Sequence, residues 1–119
     1  MIRVPDQASE LLMSRICHLM EHDRLFLRSK LKISDIAALL GSNSHYVSEC
    51  IKAHRACPFS QFINQYRIAY AKQLMQAWPD KKIAAVAIES GFANEMSFFR
   101  NFKQVEGVTP REWLNKNKK

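Results

Sequence analysis

A stretch of about 31 residues occurs twice in this chain, and this repeat limits the possible folds more than any other pattern in the sequence. The segment KISDIAALLG at 32–41 aligns with KIAAVAIESG at 82–91 at an offset of 50. After the glycine the second copy has one extra residue, so Asn43 aligns with Asn94 at an offset of 51. The fold is therefore expected to contain one small supersecondary unit that is built twice.

Each copy predicts a helix, a tight turn and a second helix. A small residue allows the two helices to approach closely, a glycine supplies the positive φ that the turn needs, and an asparagine caps the second helix. The equivalent pairs are Ala37 and Ala87, Gly41 and Gly91, and Asn43 and Asn94. This pattern is typical of a helix-turn-helix, whose second helix enters the major groove of DNA.

The repeat also predicts which side of each second helix is buried. Phe98 in the second copy aligns with Val47 in the first, and Phe102 aligns with Ile51. We expect these four residues and Cys50 to lie in the core, because they share one face at helical spacing. The remaining polar and charged residues of the two helices are left to face outward.

Apolar residues have helical spacing in the first part of the chain as well. Asp6 is predicted to cap a first helix with an apolar face at positions i, i+4, i+7 and i+8. In a short second helix capped by Ser34, we expect Ile36, Leu39 and Leu40 to face inward. The apolar face of the first helix consists of Leu12, Ile16, Leu19 and Met20.

A longer helix is predicted from Ser60 to about Ala77, where the proline of WPDKK ends it by removing a hydrogen-bond donor. Farther along, Thr109, Pro110 and Glu112 form a helix-start pattern, with the threonine as N-cap and the glutamate closing a capping box. No convincing strand is found. The apolar stripe of the long helix is expected to be Phe62, Ile63, Tyr66, Ala69, Tyr70 and Leu74.

We therefore predict an all-α fold of about seven helices, forming a single domain over residues 1–119. Two helix-turn-helix units, at about 34–54 and 82–104, are joined by a linker helix at about 60–77. The basic tail NKNKK, at 115–119, is expected to be frayed. An all-β sandwich is excluded, because 3 glycines and 4 prolines are too few for its many turns.

The charge of the chain favours a polyanionic partner. The net charge is +7 and the pI is near 9.6, so nucleic acid and an anionic membrane surface are the first candidates. No apolar run approaches the roughly 20 residues of a membrane span, and the first ten residues lack the apolar core of a signal peptide. An odd number of cysteines, 3, indicates free thiols in a reducing compartment. We expect a cytoplasmic location, for a chain that can still be a piece of a longer protein.

The segment SGFANEMSFFRNFKQVEGVTPREW, at 90–113, resembles the signature region of the AraC/XylS family of bacterial transcription regulators. INQYRIAYAKQLM, at 63–75, is similar to the linker helix of that family, and the resemblance covers roughly residues 10 to 115. It implies sequence-specific binding of double-stranded DNA for transcription regulation. Recognition helices at about 44–54 and 95–104 would occupy adjacent major-groove segments, about one DNA turn apart. It also implies RNA polymerase and a sensor or effector domain of a longer parent chain as partners, no cofactor, and no membrane contact by this domain.

The resemblance assigns base-reading positions to both recognition helices. Arg100 is expected to donate to O6 and N7 of guanine, and Met96 and Phe99 are expected to contact a thymine methyl group. Glu49 is expected to accept from N4 of cytosine, to reject other sequences by repulsion, or to serve only as a solvated salt-bridge partner. His45 is expected to donate to a base or a phosphate. The full base-reading set is His45, Ser48, Glu49, Glu95, Met96, Phe99 and Arg100.

Phosphate contacts are expected from helix N-termini and nearby donors. The candidates are Asn43, Ser44, Lys52, Lys81, Lys82, Asn94, Ser97 and Lys103. Residues 81–119 hold 8 Lys/Arg against 4 Asp/Glu, a net +4 of the total +7, so much of the electrostatic affinity is expected there. The first copy departs from the family pattern twice. Ser42 stands where an apolar residue is usual, and Ala56 replaces a glycine that the second copy keeps as Gly107, so we expect a less tightly anchored first unit.

The sequence fits other functions less well than DNA binding. Cys50 and His54 have a spacing that suits zinc, with Cys57 nearby, but no paired fourth ligand is apparent, and we predict no metal site. No nucleophile, base and orienting group occur together, and we predict no enzyme. An RNA-binding sheet would need strands. A helical protein-interaction module with incidental charge would bind DNA weakly and with little dependence on salt.

Overall fold

The computed structural model describes residues 6–117, and over that range the chain forms seven α-helices, one short 3-10 helix and no strand. The predicted all-α fold is confirmed. The aromatic segment GFANEMSFFRNFK, at 91–103, lies on a turn and a helix rather than on a strand, so the alternative of an RNA-binding sheet is wrong. The helices are α1 (Gln7–Glu21), α2 (Ile33–Leu39), α3 (Ser44–Arg55), α4 (Phe59–Ala77), α5 (Ile83–Glu89), α6 (Glu95–Glu106) and α7 (Pro110–Lys116), and the 3-10 helix is Leu25–Leu27.

The chain divides into two compact units. The first consists of Met1–Leu25 and Leu31–Ile63, and the second of Phe26–Lys30 and Asn64–Lys119. Because α7 continues to Lys116, the first residues of the basic tail are helical rather than frayed, and the last two lie outside the described residues.

Side chains cap most of these helices where the sequence predicts it. Asp6 accepts a hydrogen bond from the Ser9 N–H at 2.8 Å at the start of α1. At α7 the Thr109 hydroxyl accepts from the Glu112 N–H, and the Glu112 carboxylate accepts from the Thr109 N–H. The Thr109 N–H, and secondarily its hydroxyl, holds the pKa of Glu112 below its usual value.

The predicted cap of α2 is wrong. The helix begins at Ile33, so Ser34 already lies inside it. Asp35 explains the earlier start, because its carboxylate accepts a hydrogen bond from the Lys32 N–H at 2.8 Å and thereby satisfies an N–H that precedes the helix.

The two turns of the repeat have equivalent hydrogen bonds but different surroundings. The Ser42 N–H donates to the Ala37 carbonyl at 2.8 Å, and the Phe92 N–H donates to the Ala87 carbonyl at 3.1 Å. Gly41 has φ +64 and open space around it. Gly91 has φ +97, and a Cβ there would lie 2.4 Å from the Phe26 carbonyl oxygen and 2.9 Å from the Leu27 Cα. Gly91 is therefore required by both conformation and space, whereas Gly41 is required by conformation alone.

The core of the first unit lies among α1, α2 and α3. Its fully buried side chains include Ile16, Met20, Ile36, Val47 and Ile51. The prediction for Leu39 is wrong, because that side chain is 58% exposed. At about 100° per residue, Leu39 lies about 110° around α2 from the centre of the buried pair Ile36 and Ala37.

The core of the second unit is built around three phenylalanines. Phe92, Phe98 and Phe102 pack together with aliphatic residues, and Trp113 adds an edge-to-face contact with Phe102 at 6.0 Å between ring centroids. In this unit the apolar stripe predicted for α4 is wrong in part, since Ala69 is exposed and Tyr66, Tyr70 and Leu74 are only half-buried. The helix contributes to both units, so one stripe does not describe it. The aliphatic core residues are Ile68, Ala71, Met75, Ile83, Val86 and Ala87.

Candidate nucleic-acid interface

Helix α3 has one buried side and one exposed side, as the repeat predicts. Val47, Cys50 and Ile51 are buried. Of the predicted base readers on this helix, His45 is exposed, whereas Ser48 and Glu49 are half-buried. Among the three predicted base readers of this helix, only His45 is therefore fully accessible to a partner.

Helix α6 separates the two classes of side chain more sharply. Phe98 and Phe102 are fully buried, whereas Met96 is 80% exposed. Glu95, Arg100 and Lys103 are also exposed. The exposed side of α6 therefore presents one carboxylate, two cationic groups and one apolar thioether side chain.

Phe99 has a mixed environment that the sequence did not predict. Its side chain is half-buried and packs against the second core, with its ring centroid 6.0 Å from that of Phe98. Only part of the ring is therefore presented to solvent, and its orientation is restricted by the core.

The two cap asparagines already use their side-chain oxygens within the fold. Asn43 accepts from the Tyr46 N–H, and Asn94 accepts from the Ser97 N–H, both at 2.8 Å. Both residues are exposed, and the amide nitrogen of each is the atom that would donate to a phosphate. Ser44 and Ser97, the neighbouring candidates, are half-buried.

The candidate lysines differ in their surroundings. Lys52, Lys82 and Lys103 are exposed. The Lys81 ammonium instead forms an ion pair with the Glu89 carboxylate, at 2.7 Å between Nζ and Oε2. A cation that is partly neutralised by a neighbouring carboxylate attracts a phosphate less strongly, so Lys81 is the weakest of these four candidates.

Two residues that position α6 were not singled out from the sequence. The Asn64 side-chain amide of α4 donates to the side-chain oxygen of Asn101 at 3.0 Å, and Asn101 in turn donates to the Ser97 carbonyl at 2.8 Å. This connection fixes the exposed side of α6 relative to α4 within the second unit. A sequence pattern offers little signal for it, because the partners are 37 residues apart.

Arg67 connects three segments of the second unit. Its guanidinium donates to the Phe26 carbonyl at 2.7 Å and to the Arg28 carbonyl at 2.8 Å. It also donates to the Asn64 side chain at 3.3 Å and lies over the Phe92 ring, 5.7 Å from the centroid. Burial lowers the pKa of Arg67. The only sequence signal for this role is a basic residue within the apolar pattern of α4.

The thiols and His54 serve the fold of the first unit. The Cys50 thiol donates to the Ser9 carbonyl at 3.2 Å, and a ring nitrogen of His54 lies 2.8 Å from the Ser9 hydroxyl. Burial raises the pKa of the Cys50 thiol. All three cysteines are free, and Cys17, the least buried, accepts a hydrogen bond from the Arg55 guanidinium at 3.1 Å. These contacts do not bring Cys50, His54 and Cys57 together as ligands of one ion.

In the described part of the chain, no helix has the length and apolar character needed to cross a membrane.

A family model described as a helix-turn-helix domain matches residues 36–116, which include both copies of the repeat.

Known regulators resemble this chain in sequence. The uncharacterised HTH-type transcriptional regulator YtdP of Bacillus subtilis strain 168 is 32% identical over 95 residues, which are 80% of this chain and 12% of YtdP. The chain thus spans about an eighth of the length of this relative.

Two solved structures share the fold. A transcriptional regulator with an AraC-type DNA-binding domain from Chromobacterium violaceum has a TM-score of 0.78 at 22% identity, covering 93% of this chain and 96% of the other. The DNA-binding domain of the global transcriptional factor AdpA, solved in complex with a target DNA, has a TM-score of 0.74 at 16% identity, covering 96% and 93%.

Proposed function

The chain belongs to the AraC-type helix-turn-helix family of DNA-binding transcription regulators, and on this basis we propose that α3 and α6 are the two helices with which it reads double-stranded DNA. One observation carries the proposal. Each helix is the second member of a helix-turn-helix, begins at an asparagine cap, buries its apolar side and leaves its polar side exposed. In this motif the second helix enters the major groove, with its N-terminal residues at the base edges.

On α6 the proposed base contacts come from three exposed residues and one half-buried residue. The Arg100 guanidinium donates to O6 and N7 of a guanine, since its planar fork matches this pair of acceptors. Met96 and the exposed part of Phe99 contact the methyl group of a thymine. Glu95, in the first turn, accepts from a base amino group.

On α3 the proposed base contacts are weaker and more polar. His45 donates to a base or a phosphate from an exposed position in the first turn of the helix. Ser48 and Glu49 lie beside it, and the Glu49 carboxylate accepts from N4 of a cytosine and disfavours other bases by leaving its charge unpaired.

Phosphate contacts hold both helices in register in this proposal. The amide groups of Asn43 and Asn94 donate to the backbone at the helix N-termini, where the helix dipole also attracts anions. Ser44 and Ser97 lie close to these caps, and the exposed lysines add charge. The proposed lysine contacts are Lys52, Lys82 and Lys103, with Lys81 a lesser one because it is paired with Glu89.

The test is selection of bound DNA from a random pool, followed by binding measurements with two variants. We expect two blocks of preferred bases in the selected DNA. Arg100→Ala should lose preference at one position, with affinity for the selected site reduced about 5- to 150-fold, the equivalent of about 1–3 kcal/mol. Arg111→Ala is the matched control, because it removes an equal charge from an exposed position on α7.

The control should keep the base preference of the wild type whatever happens to its overall affinity. If Arg100→Ala weakened binding to all sequences by the same factor, as a lost phosphate contact would, the base-reading role of Arg100 would be wrong. A single block of preferred bases would contradict the use of both helices.

The wider setting of this domain is also a proposal, because the chain matches only a small part of YtdP. We propose that a longer parent chain joins it to a sensor or effector domain, and that RNA polymerase is its partner at promoters. We further propose that the domain works in the bacterial cytoplasm, where the chromosome lies. It is expected to need no cofactor and to have no enzymatic activity.

A further inference from the structure

The C-terminal end of α1 carries two histidines side by side. His18 and His22 are one helical turn apart, and their rings are stacked, with centroids 4.6 Å apart and an angle of 12° between the ring planes. Both side chains are exposed. Two imidazoles at positions i and i+4 of a helix point to the same side, which is the spacing with which helices present paired nitrogen ligands to a metal ion.

Asp23 completes this group and controls the orientation of one ring. Its carboxylate oxygen Oδ1 lies 2.9 Å from Nδ1 of His22. As an acceptor from the Nδ1–H, the carboxylate favours the tautomer in which the Nε2 lone pair is available to a ligand, an arrangement that recurs where histidines bind metals. One potential ligand atom from each of His18, His22 and Asp23 lies within 4.8 Å of the others.

The backbone explains why three residues meet here. The His22 and Asp23 N–H groups both donate to the His18 carbonyl, at 2.8 Å and 3.4 Å, so the chain folds over the last turn of α1. This fold brings Asp23 against the His22 ring. The helix also ends at this point, and the partial negative charge of its last carbonyls favours a cation.

We propose that His18, His22 and Asp23 form a surface binding site for a divalent transition-metal ion such as Zn²⁺. The lone pair of an imidazole nitrogen lies in the plane of its ring, so the two exposed side chains rotate out of the stacked arrangement to bind the ion through ring nitrogens. Asp23 orients His22 and adds negative charge. Water fills the remaining coordination positions, so the ion exchanges with solvent rather than forming a closed structural site. Imidazole ligands suit zinc, copper and nickel, whereas Mg²⁺ prefers oxygen ligands. Mg²⁺ in large excess is therefore expected not to displace Zn²⁺.

The experiment is titration calorimetry of the tag-free protein with Zn²⁺. The wild type should bind one ion, and His18→Gln and His22→Gln should each bind at least about 10–100-fold more weakly, the range in which supporting groups around a metal act. His45→Gln is the matched control, because His45 is also exposed but lies on α3. It should bind Zn²⁺ as the wild type does.

A second variant tests the part played by Asp23. Asp23→Ala removes the acceptor of the His22 Nδ1–H and should weaken Zn²⁺ binding about 10–100-fold. All of these side chains are exposed, so circular dichroism should show unchanged helix content for each variant. The site would be disproved by wild-type affinity in either histidine variant, or by equal loss in His45→Gln. Wild-type affinity in Asp23→Ala would remove Asp23 from it. Because Arg100→Ala leaves the site intact, it should bind Zn²⁺ normally, and the test is independent of DNA recognition.

Discussion

Ala56 and Gly107 end the two recognition helices at equivalent positions of the repeat, and both adopt a left-handed backbone. The φ values are +56 and +80. Glycine accepts this conformation without a steric cost, whereas an alanine there crowds its Cβ against the backbone by about 1–2 kcal/mol. In each case the N–H bonds back to the helix, to the Lys52 carbonyl at 3.0 Å and to the Lys103 carbonyl at 2.7 Å. The first unit therefore keeps the C-cap geometry at a conformational cost that the second unit avoids.

Replacing Ala56 with glycine should stabilise the protein by about 1 kcal/mol, because the strain at the C-cap disappears. Thermal unfolding should show a midpoint roughly 4 °C higher. Ala53→Gly is the control, since the same substitution at an exposed position within α3 should destabilise by about 0.5–1 kcal/mol. The same sign for both variants would contradict a strained cap.

Gly41 and Gly91 offer a second matched pair of positions. Gly41→Ala should cost about 1 kcal/mol, since only its positive φ is unfavourable for alanine. Gly91→Ala should cost about 1–3 kcal/mol more, because its Cβ would overlap backbone atoms of Phe26 and Leu27 that cannot move freely. Urea unfolding of both variants measures the difference. Equal losses would mean that the segment at Phe26 moves aside without cost.

Arg67 attaches the Phe26–Lys30 segment to α4 and supports the turn before α6. Arg67→Ala should destabilise the protein by about 2–3 kcal/mol, because carbonyls of Phe26 and Arg28 lose a charged donor. Arg67→Lys should recover only part of this loss, since an ammonium group cannot reproduce the fork of the guanidinium.

Thermal unfolding measures both Arg67 variants, with Arg111→Ala as an exposed control that should change stability by less than about 0.5 kcal/mol. A loss for Arg67→Ala no larger than that of the control would show that these hydrogen bonds are replaced by water. Full recovery in Arg67→Lys would show that charge matters and geometry does not.

The sequence correctly predicted the features that depend on neighbouring residues in the chain. The asparagine caps and the Thr109 box depend on residues three apart, and the buried sides of α3 and α6 follow from helical spacing and from the alignment of Phe98 with Val47. The misses have longer-range or competing causes. Asp35 moves the start of α2 before Ser34. Arg67 depends on carbonyls about 40 residues away, which no spacing rule detects. The base and phosphate contacts stay predictions, because the partner that would define them is DNA.

The excess of positive charge on this chain should make its DNA binding strongly dependent on salt. A protein that contacts about six phosphates is expected to lose roughly 10³ in affinity between 50 and 200 mM salt. The loss arises because the release of condensed counterions from DNA gains less free energy when the salt concentration in solution is higher. A helical protein-interaction module with incidental charge would show weak binding and a shallow slope.

Lys103→Ala tests one phosphate contact within this total. Its salt slope should be smaller by about 1, with base preference unchanged, because a phosphate contact carries no direct sequence information. Lys116→Ala, in the last turn of α7, is the control and should keep the wild-type slope. A change of base preference in Lys103→Ala would instead place this lysine at a base edge.

The positions of the cysteines allow opening of the first compact unit to be measured by thiol labelling. All three thiols lie in the first unit, two of them buried, and the second unit contains no cysteine. A maleimide dye should therefore modify Cys17 first in the folded protein. The buried Cys50 and Cys57 become reactive only when that unit opens. The rate at which the second and third dye molecules attach measures the opening of the first compact unit, and relief of the strain at Ala56 should slow it.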